Sequence, residues 1–292
     1  MVEYFPGRKY VATSTNLVLE CSFKTNPKGN IMRTYGIERE RFIQNAQGQI
    51  VPAIGALLPL VQQLARDGGL SENRFTFELF AGQIEDRTQP SGNLAEVRRA
   101  LVQNDMLLSE AARQCGFTFD YSEFMELERI ISLEVNPFDE RHQKIWGVIP
   151  VDRKVAASVV AAVHVHISVA ESEVAQCLNS CRLDVIERLI TLGDHSGGAR
   201  TNSYRVMAET NGVPPIFSNF SEVMAYITSK GGERNVWDLV RYKPTTGTVE
   251  FRMFGATESV DEVFGYIEAC HRIVQDAEHT MDPQKMVAQG VL

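Results

Sequence analysis

The sequence predicts an α+β fold in which a mainly antiparallel sheet carries a polar functional face. Segments with the two-residue hydrophobic period of strands and segments with the helical period are mixed along the chain. A Pro-Thr-Thr-Gly turn at 244–247 also separates two strand-like segments, which indicates an antiparallel hairpin. Mixed element order with an antiparallel pair is typical of α+β proteins.

Residues 1–31 differ in pattern from the remainder and are interpreted as an N-terminal extension. Residues 10–23 are strand-prone, and Asn-Pro-Lys-Gly-Asn at 26–30 is typical of a turn. No linker follows this segment, so we expect residues 32–292 to form a single domain.

Strands are predicted in order where apolar residues alternate or where β-branched residues cluster. The segments are 33–43, 74–84, 158–169, 238–243 and 248–254. Helices are predicted where apolar residues recur every three or four positions, over 54–64, 94–111, 171–192 and 260–274. Gly68-Gly69 should end the first helix, Asn93 should cap the second with Glu96 three residues later, and Gly116 should close it.

Composition excludes several classes of protein. The 292 residues are 44% hydrophobic and 23% charged, which argues against disorder. The net charge of −8, without a basic block, argues against nucleic-acid binding. The most apolar run, 155–170, is too short to span a membrane comfortably, and no secretory signal is visible, so we expect a cytoplasmic protein.

The five cysteines are predicted to be reduced thiols. None forms a CxxC pair, and Cys177 and Cys181 share the apolar face of a predicted helix. Such spacing is typical of core cysteines, which agrees with a cytosolic location.

Three predicted strands each carry two polar residues on one face and apolar residues on the other. Residues two apart in a strand point to the same side. The pairs are Glu38 with Glu40, His164 with His166, and Glu250 with Arg252. A solvated outer sheet face would give the same alternation. If the three faces line one cavity, its carboxylates and imidazoles suit Mg²⁺ or Mn²⁺.

Glu78 and Glu85 are seven residues apart, which places them on opposite faces of a regular strand. A kink at Ala81-Gly82 would bring both carboxylates to one side. The sequence contains no P-loop, HExxH, GxSxG or GxGxxG motif, so any ATP must be bound in another way.

Taken in order, these segments resemble the glutamate–cysteine ligases and bacterial carboxylate–amine ligases of the glutamine-synthetase-like superfamily. The resemblance covers roughly residues 33–275. It depends on Gly-Ile-Glu-Arg-Glu at 36–40, Glu78 with Glu85 followed by Asp-Arg-Thr-Gln-Pro at 86–90, His-Val-His-Ile-Ser at 164–168, Tyr204-Arg205, Gly-Val-Pro at 212–214, Trp-Asp-Leu-Val-Arg at 237–241 and Gly-Thr-Val-Glu-Phe-Arg at 247–252.

The resemblance implies a bent antiparallel sheet that forms a funnel with helices outside. It also implies an ATP- and Mg²⁺-dependent enzyme, with Mn²⁺ as an alternative ion, that phosphorylates a glutamate-like carboxylate. An amine or amino acid then displaces phosphate and forms an amide. Self-association into a homo-oligomer is left open, and residues 1–31 would cover the funnel mouth or form a subunit contact.

The resemblance also implies roles for individual residues. The metal ligands would be Glu38, Glu40, Glu78, Glu85, His164 and Glu250, with Glu40 either a ligand or a partner of one. His166 would contact nucleotide phosphate, and Arg252 would steady the transferred phosphoryl group. Arg205 and Arg241 would face phosphate or a substrate carboxylate, with a surface ion pair as the alternative for Arg205.

Other interpretations remain open at this point. A guanido-kinase-like phosphotransferase would transfer phosphate to a guanidine and should have a reactive cysteine. A catalytically inactive relative would bind ATP and metal without turnover, and a carboxylate-bridged metallohydrolase would not need ATP. The Gly-rich segment 194–200 is either a surface loop or part of a substrate pocket.

Overall fold

The structure is a computed structural model that describes residues 9–13, 16–20 and 33–280. The chain divides into two compact units, Met1–Arg33 and Thr34–Leu292. In the first unit, β1 (Lys9–Thr13) and β2 (Asn16–Glu20) pair as an antiparallel hairpin. The turn predicted at 26–30 lies outside the described residues.

The second unit is built on a seven-stranded sheet in which neighbouring strands are antiparallel. Its order is β4–β5–β3–β7–β9–β8, and β6 pairs with β3 outside this path. The strands are β3 (Tyr35–Gln44), β4 (Phe75–Phe77), β5 (Gln83–Arg87), β6 (Thr118–Asp120), β7 (Ala162–Ser168), β8 (Val240–Lys243) and β9 (Thr248–Gly255).

Nine helices of the described segments complete this unit. They are α1 (Ile54–Asp67), α2 (Leu94–Cys115), α3 (Glu140–Val148), α4 (Val151–Ser158), α5 (Glu171–Ser180), α6 (Leu183–Gly193), α7 (Ala199–Ala208), α8 (Phe220–Ser229) and α9 (Val260–Thr280). None of these helices combines the length and the apolar character needed to cross a membrane.

One face of the central strands packs on helices, and this arrangement leaves the other face for the polar pairs. Ile37, Val165 and Phe251 are almost completely buried in a core that they share with α5, α6, α8 and α9. Because side chains alternate along a strand, their neighbours at even positions point away from this core. The predicted α+β class with a mainly antiparallel sheet is confirmed.

Helix boundaries agree with the predicted caps at α1 and α2. Gly68 follows α1, and the side chain of Asn93 accepts a hydrogen bond from the Ala95 amide at the start of α2. Gly116 ends α2 in the left-handed conformation that favours glycine. Glu96, by contrast, accepts from the Ser91 hydroxyl rather than from the Asn93 amide.

Three predicted elements need correction. The helix predicted over 171–192 is two helices, α5 and α6. The sequence does not show the break because both helices bury apolar residues in one core and the hydrophobic period continues across it. The strand predicted over 74–84 ends at Phe77, after which the chain reverses into β5. The strand predicted over 158–169 begins only at Ala162 because Val151–Ser158 is helical.

The buried cysteines confirm the prediction of core thiols. Cys177, Cys181 and Cys270 lie in the core, and burial raises the pKa of the Cys181 and Cys270 thiols. Cys115 is half-buried and Cys21 lies outside the described residues. These three core thiols are therefore poor candidates for the reactive cysteine of a guanido-kinase-like enzyme.

Candidate functional site

The three polar pairs lie on adjacent strands β3, β7 and β9. In the sheet register Glu38 is opposite His164, and His166 is opposite Glu250. Residues 126 and 82 positions apart in sequence therefore bring the polar faces of these strands together, as the cavity interpretation requires. The six side chains are half-buried or buried, so an open solvated sheet face does not describe them.

The first group of potential ligands consists of Glu38, His166 and Glu250. One donor atom from each lies within 4.8 Å of the others. His166 Nε2 is 3.4 Å from Glu38 Oε2 and 3.8 Å from Glu250 Oε1, and it is buried without a hydrogen-bond partner among the described residues. Its Nδ1 lies 3.2 Å from the Thr248 hydroxyl. His166 thus forms a group of three potential ligands with these two carboxylates, and His164 lies equally close to them.

The second group consists of Glu40, Glu78 and Glu85, whose donor atoms also lie within 4.8 Å of one another. Glu85 is opposite Glu40 in the β3–β5 register. Glu78 lies beside these two carboxylates because the chain reverses at 81–82, between β4 and β5. The expected kink is therefore a full reversal, and it brings Glu78 and Glu85 to one side.

His164 lies between the two groups. Its Nδ1 is 3.3 Å from Glu38 Oε2 and 3.7 Å from Glu250 Oε1, whereas its Nε2 is 3.7 Å from Glu40 Oε1. Burial, together with the charge of Arg252, lowers the pKa of His164 to about 4. The imidazole is therefore neutral at physiological pH and separates the two carboxylate groups without adding positive charge.

The second group has less positive charge beside it than the first: among the described residues Arg87 pairs with Glu85 at 3.1 Å, but neither Glu40 nor Glu78 forms an ion pair with an arginine or a lysine. Burial, followed by repulsion from Glu85, raises the pKa of Glu40 to about 8. Burial, followed by repulsion from Glu40, raises the pKa of Glu78 to about 7. The pKa of Glu85 is raised by burial and by Glu38. Carboxylates of this kind remain partly protonated unless a cation neutralises them.

The first group has its own cations and remains ionised. Burial alone would raise the pKa of Glu250, but Arg241 and Arg252 hold it well below its usual range. Burial likewise opposes ionisation of Glu38, whose pKa His166 and His164 lower. The two neighbouring groups thus differ in charge state in the protein alone.

The predicted arginines occupy three different environments. Arg252 donates from Nη1 to Glu250 Oε1 at 2.6 Å and lines the cavity beside the site. Arg241 donates to the other Glu250 oxygen and to the backbone oxygens of Glu233 and Val236. Arg205 is half-buried on α7 and is not among the residues that line this cavity.

A β-bulge and a buried arginine shape the end of β9. Val163 pairs with Phe254 and Val165 with Phe251, so Arg252 and Met253 are both opposite His164. Arg200 of α7 donates to the backbone oxygens of Ala161, Arg252 and Met253. Bulges occur next to active sites because they redirect a side chain. In this bulge Arg252 lies between Glu250 and the cavity.

A cavity of about 170 Å³ adjoins the second carboxylate group. Glu40, Glu78, His164 and Arg252 line it on the side of the sheet, and helices α3, α4 and α7 supply other walls. Thr248, which contacts His166, and Tyr204 and Trp237, which line the cavity, were not predicted as site residues from the sequence. Arg200 ends the Gly-rich segment 194–200, and it reaches the cavity because α7 begins at Ala199.

The side chains fit a divalent cation in both groups. Carboxylate oxygens with one imidazole are the donors that Mg²⁺ and Mn²⁺ accept, and the unpartnered His166 Nε2 faces two ionised acids. Because the pKa values of Glu40 and Glu78 are raised, a cation bound there would displace protons from these carboxylates.

Comparison with known proteins gives homologues over most of this chain. A protein of Roseiflexus castenholzii named "Putative glutamate--cysteine ligase 2" is 28% identical over 246 residues, which are 78% of this chain and 62% of that protein. A protein of the same name from Rhodopirellula baltica is 26% identical over 266 residues, covering 82% and 68% of the two chains. No protein-family model matches.

Among solved structures, a bifunctional glutathione synthetase from Pasteurella multocida has a TM-score of 0.54 at 16% identity. The match covers 83% of this chain and 39% of that one. The match to the first Roseiflexus relative spans 62% of that protein's length. The resemblance identified from the sequence is confirmed: this chain is a homologue of proteins named "Putative glutamate--cysteine ligase 2" and has the fold of part of a bifunctional glutathione synthetase structure.

Proposed function

We propose that the protein is an ATP- and Mg²⁺-dependent carboxylate–amine ligase that acts on a glutamate-like carboxylate. One observation carries the proposal: two groups of metal-ligand type lie side by side, the first on β3, β7 and β9 and the second on β3, β5 and the β4–β5 connection, with Arg252 next to both. The names of the homologues support the same class of reaction.

The reaction has two group transfers. A carboxylate oxygen of the first substrate attacks the γ-phosphorus of ATP, the bond to ADP breaks, and an acyl phosphate forms. The amine nitrogen of the second substrate then attacks the acyl carbon, loses a proton and releases orthophosphate. Both steps bring anions together, so the protein must mainly neutralise charge and position the reactants.

The two carboxylate groups would hold the metal. In our proposal one ion is bound by Glu38, His166 and Glu250, and another by Glu40, Glu78 and Glu85. When bound, Mg²⁺ supplies neutralisation of the phosphate and carboxylate charges. We assign a ligand role to His166 because of its free Nε2, and we place His164 between the two groups as a neutral spacer.

The arginines would have different tasks. Arg252 reaches the cavity and would contact the transferred phosphoryl group, for which a planar guanidinium is suited. Arg241 would position Glu250, because its guanidinium is already bound to that carboxylate and to two backbone oxygens. The predicted contact of Arg205 with phosphate or a substrate carboxylate stays a prediction.

The test is orthophosphate release from ATP and Mg²⁺, with glutamate as acceptor and a panel of amines. We expect release that needs both glutamate and one amine. Glu250→Gln should lower the rate at least about 100-fold, because it removes a ligand that also balances two arginines. Glu128→Gln, on an exposed side chain, is the matched control and should leave the rate unchanged.

Turnover without ATP would contradict the proposal, and so would a fully active Glu250→Gln variant. Because that variant leaves buried Arg241 and Arg252 without their carboxylate, its fold is checked by circular dichroism. Glu38→Gln tests the same metal group without disturbing the Arg241 contact, and it should lose activity to a similar degree.

A further inference from the structure

The cavity beside the carboxylate groups also has apolar residues in its lining, which we call its apolar part. These side chains come from the β4–β5 connection, from α3 and α7, and from the segments before β7 and β8. Its apolar residues include Leu79, Ile145, Ile149, Val160, Met207 and Trp237. A glutamate side chain placed here would bury a second carboxylate against hydrocarbon, which is costly without a charged partner.

The size of the cavity defines what this apolar part can accept. A cavity of about 150 Å³ lined with aliphatic and aromatic side chains binds benzene. The present cavity measures about 170 Å³ in total. It therefore has room for one ring or one branched aliphatic side chain in addition to a small polar group.

Two arginines in the cavity lining have no carboxylate partner among the described residues. Arg141 of α3 donates only to the Asn235 side chain, at 3.3 Å, and Arg234 of the adjacent 3-10 helix Glu233–Asn235 has no ion pair there. Arg153, in the same lining, differs because it donates to the Met207 backbone oxygen and pairs with Glu209.

Arg141, which is half-buried, and Arg234, which is exposed, both line the cavity. Both act electrostatically on the same side chain, His142, and Arg141 is bonded to Asn235, the residue after Arg234. Two guanidinium groups that line one cavity and form no ion pair among the described residues are suited to a ligand carboxylate, which a planar fork binds in a bidentate way.

We infer that the amine substrate is an α-amino acid with a branched aliphatic or aromatic side chain. Its side chain occupies the apolar part of the cavity, its carboxylate is held by Arg141 and Arg234, and its amino group faces the carboxylate groups of the sheet. The role as amine substrate rests on the proposed ligase function, whereas binding of the amino acid does not require turnover.

The test is calorimetric binding to the intact protein with Mg²⁺ and without ATP. The probes are L-phenylalanine, L-leucine, L-alanine, L-glutamate, 2-phenylethylamine and 3-phenylpropionate. Phenylalanine or leucine should bind at least about tenfold more tightly than alanine, since each buried methylene contributes to transfer from water. Phenylethylamine, without a carboxylate, and phenylpropionate, without an amine, should both bind more weakly than phenylalanine.

Variants locate the binding. Arg234→Gln should reduce phenylalanine affinity about tenfold and leave phenylethylamine unaffected, whereas Arg188→Gln on exposed α6 is the control. Ile145→Phe, which fills the cavity, should abolish the preference for phenylalanine over alanine. Ile145→Asn should weaken phenylalanine binding, while Ile131→Asn at an exposed position should not. Thermal unfolding checks that each variant is folded.

Several results would overturn the inference. If the apolar wall were irrelevant, alanine or glutamate would bind as tightly as phenylalanine, and such equal affinities would reject the assigned side-chain class. Binding of phenylpropionate as tight as that of phenylalanine would assign the pocket to the acid substrate. Binding is measured without ATP, so the two proposals can fail separately. Amino-acid binding without ligase activity would reject only the proposed function, and ligase activity without this binding would reject only the proposed pocket.

Discussion

At the scale of single residues, the environment of His166 determines how it can act. A metal at Nε2 requires that Nδ1 carries the ring proton. The Thr248 hydroxyl lies 3.2 Å from Nδ1, where its oxygen can accept a hydrogen bond from that N–H group. A short hydroxyl side chain on the neighbouring strand can thus stabilise the tautomer that a metal at Nε2 needs.

Thr248→Val removes this acceptor and keeps the shape of the side chain. We expect Mn²⁺ affinity to fall about 10- to 100-fold, the usual effect of losing a hydrogen bond behind a ligating histidine. Mn²⁺ binding measured by electron paramagnetic resonance tests this. Thr191→Val, at an exposed position on α6, should bind Mn²⁺ normally. Unchanged affinity in Thr248→Val would show that His166 is not a ligand.

At the scale of elements, the reversal between β4 and β5 controls the second carboxylate group. Gly82 lies at this reversal, and a β-carbon there would overlap the buried ring of Phe80. The reversal is also tied to the rest of the fold, since the Gly82 backbone oxygen accepts from the Ile43 amide of β3. Glu78 and Glu85 therefore depend on close packing at one glycine.

Gly82→Ala should lower the free energy of unfolding by about 1–3 kcal/mol, the usual cost of overpacking. Gly147→Ala is the matched control, because no atom lies within 4 Å of its added methyl group. Since Gly147 is inside α3, this change should raise stability by about 0.5–1 kcal/mol. Urea unfolding measures both, and equal effects would contradict the packing argument.

Sequence spacing predicts which residues share a strand face, but it does not predict the order of the strands. The pairs Glu38–Glu40 and His164–His166 were predictable because two-residue spacing fixes a common face. That β7 lies between β3 and β9 was not predictable from spacing, since strand order depends on long-range packing. Thr248 and Trp237 were missed as site residues because hydroxyl and aromatic side chains in strands and loops are common without function.

At the scale of the whole molecule, the excess of negative charge in the site should make the folding stability depend on pH. Folding raises the pKa of Glu40 to about 8 and of Glu78 to about 7, above the values near 4.5 expected when unfolded. Between pH 4.5 and these raised pKa values, the unfolded chain therefore binds fewer protons than the folded one. The free energy of unfolding falls as the pH rises through this range. Glu38 and Glu250 are ionised throughout this range.

Metal should reverse this loss. Without Mg²⁺, the melting temperature should fall between pH 6.5 and 8.5, and Mg²⁺ should raise it more at pH 8.5. The apparent affinity for Mg²⁺ should increase up to about tenfold per pH unit for each proton released. Thermal unfolding with and without Mg²⁺ tests this, and Glu40→Gln should flatten the pH dependence. A Mg²⁺ effect that is equal at both pH values would be inconsistent with protonated carboxylates.

The sheet order has a consequence for how the chain folds. His164 meets Glu38 across 126 residues of sequence, and His166 meets Thr248 across 82. During synthesis, β7, the second neighbour of β3, is therefore made long after β5. Contacts of such high sequence separation slow folding and leave strand edges open to mispairing. Completion of the metal groups should accordingly be among the last events of folding.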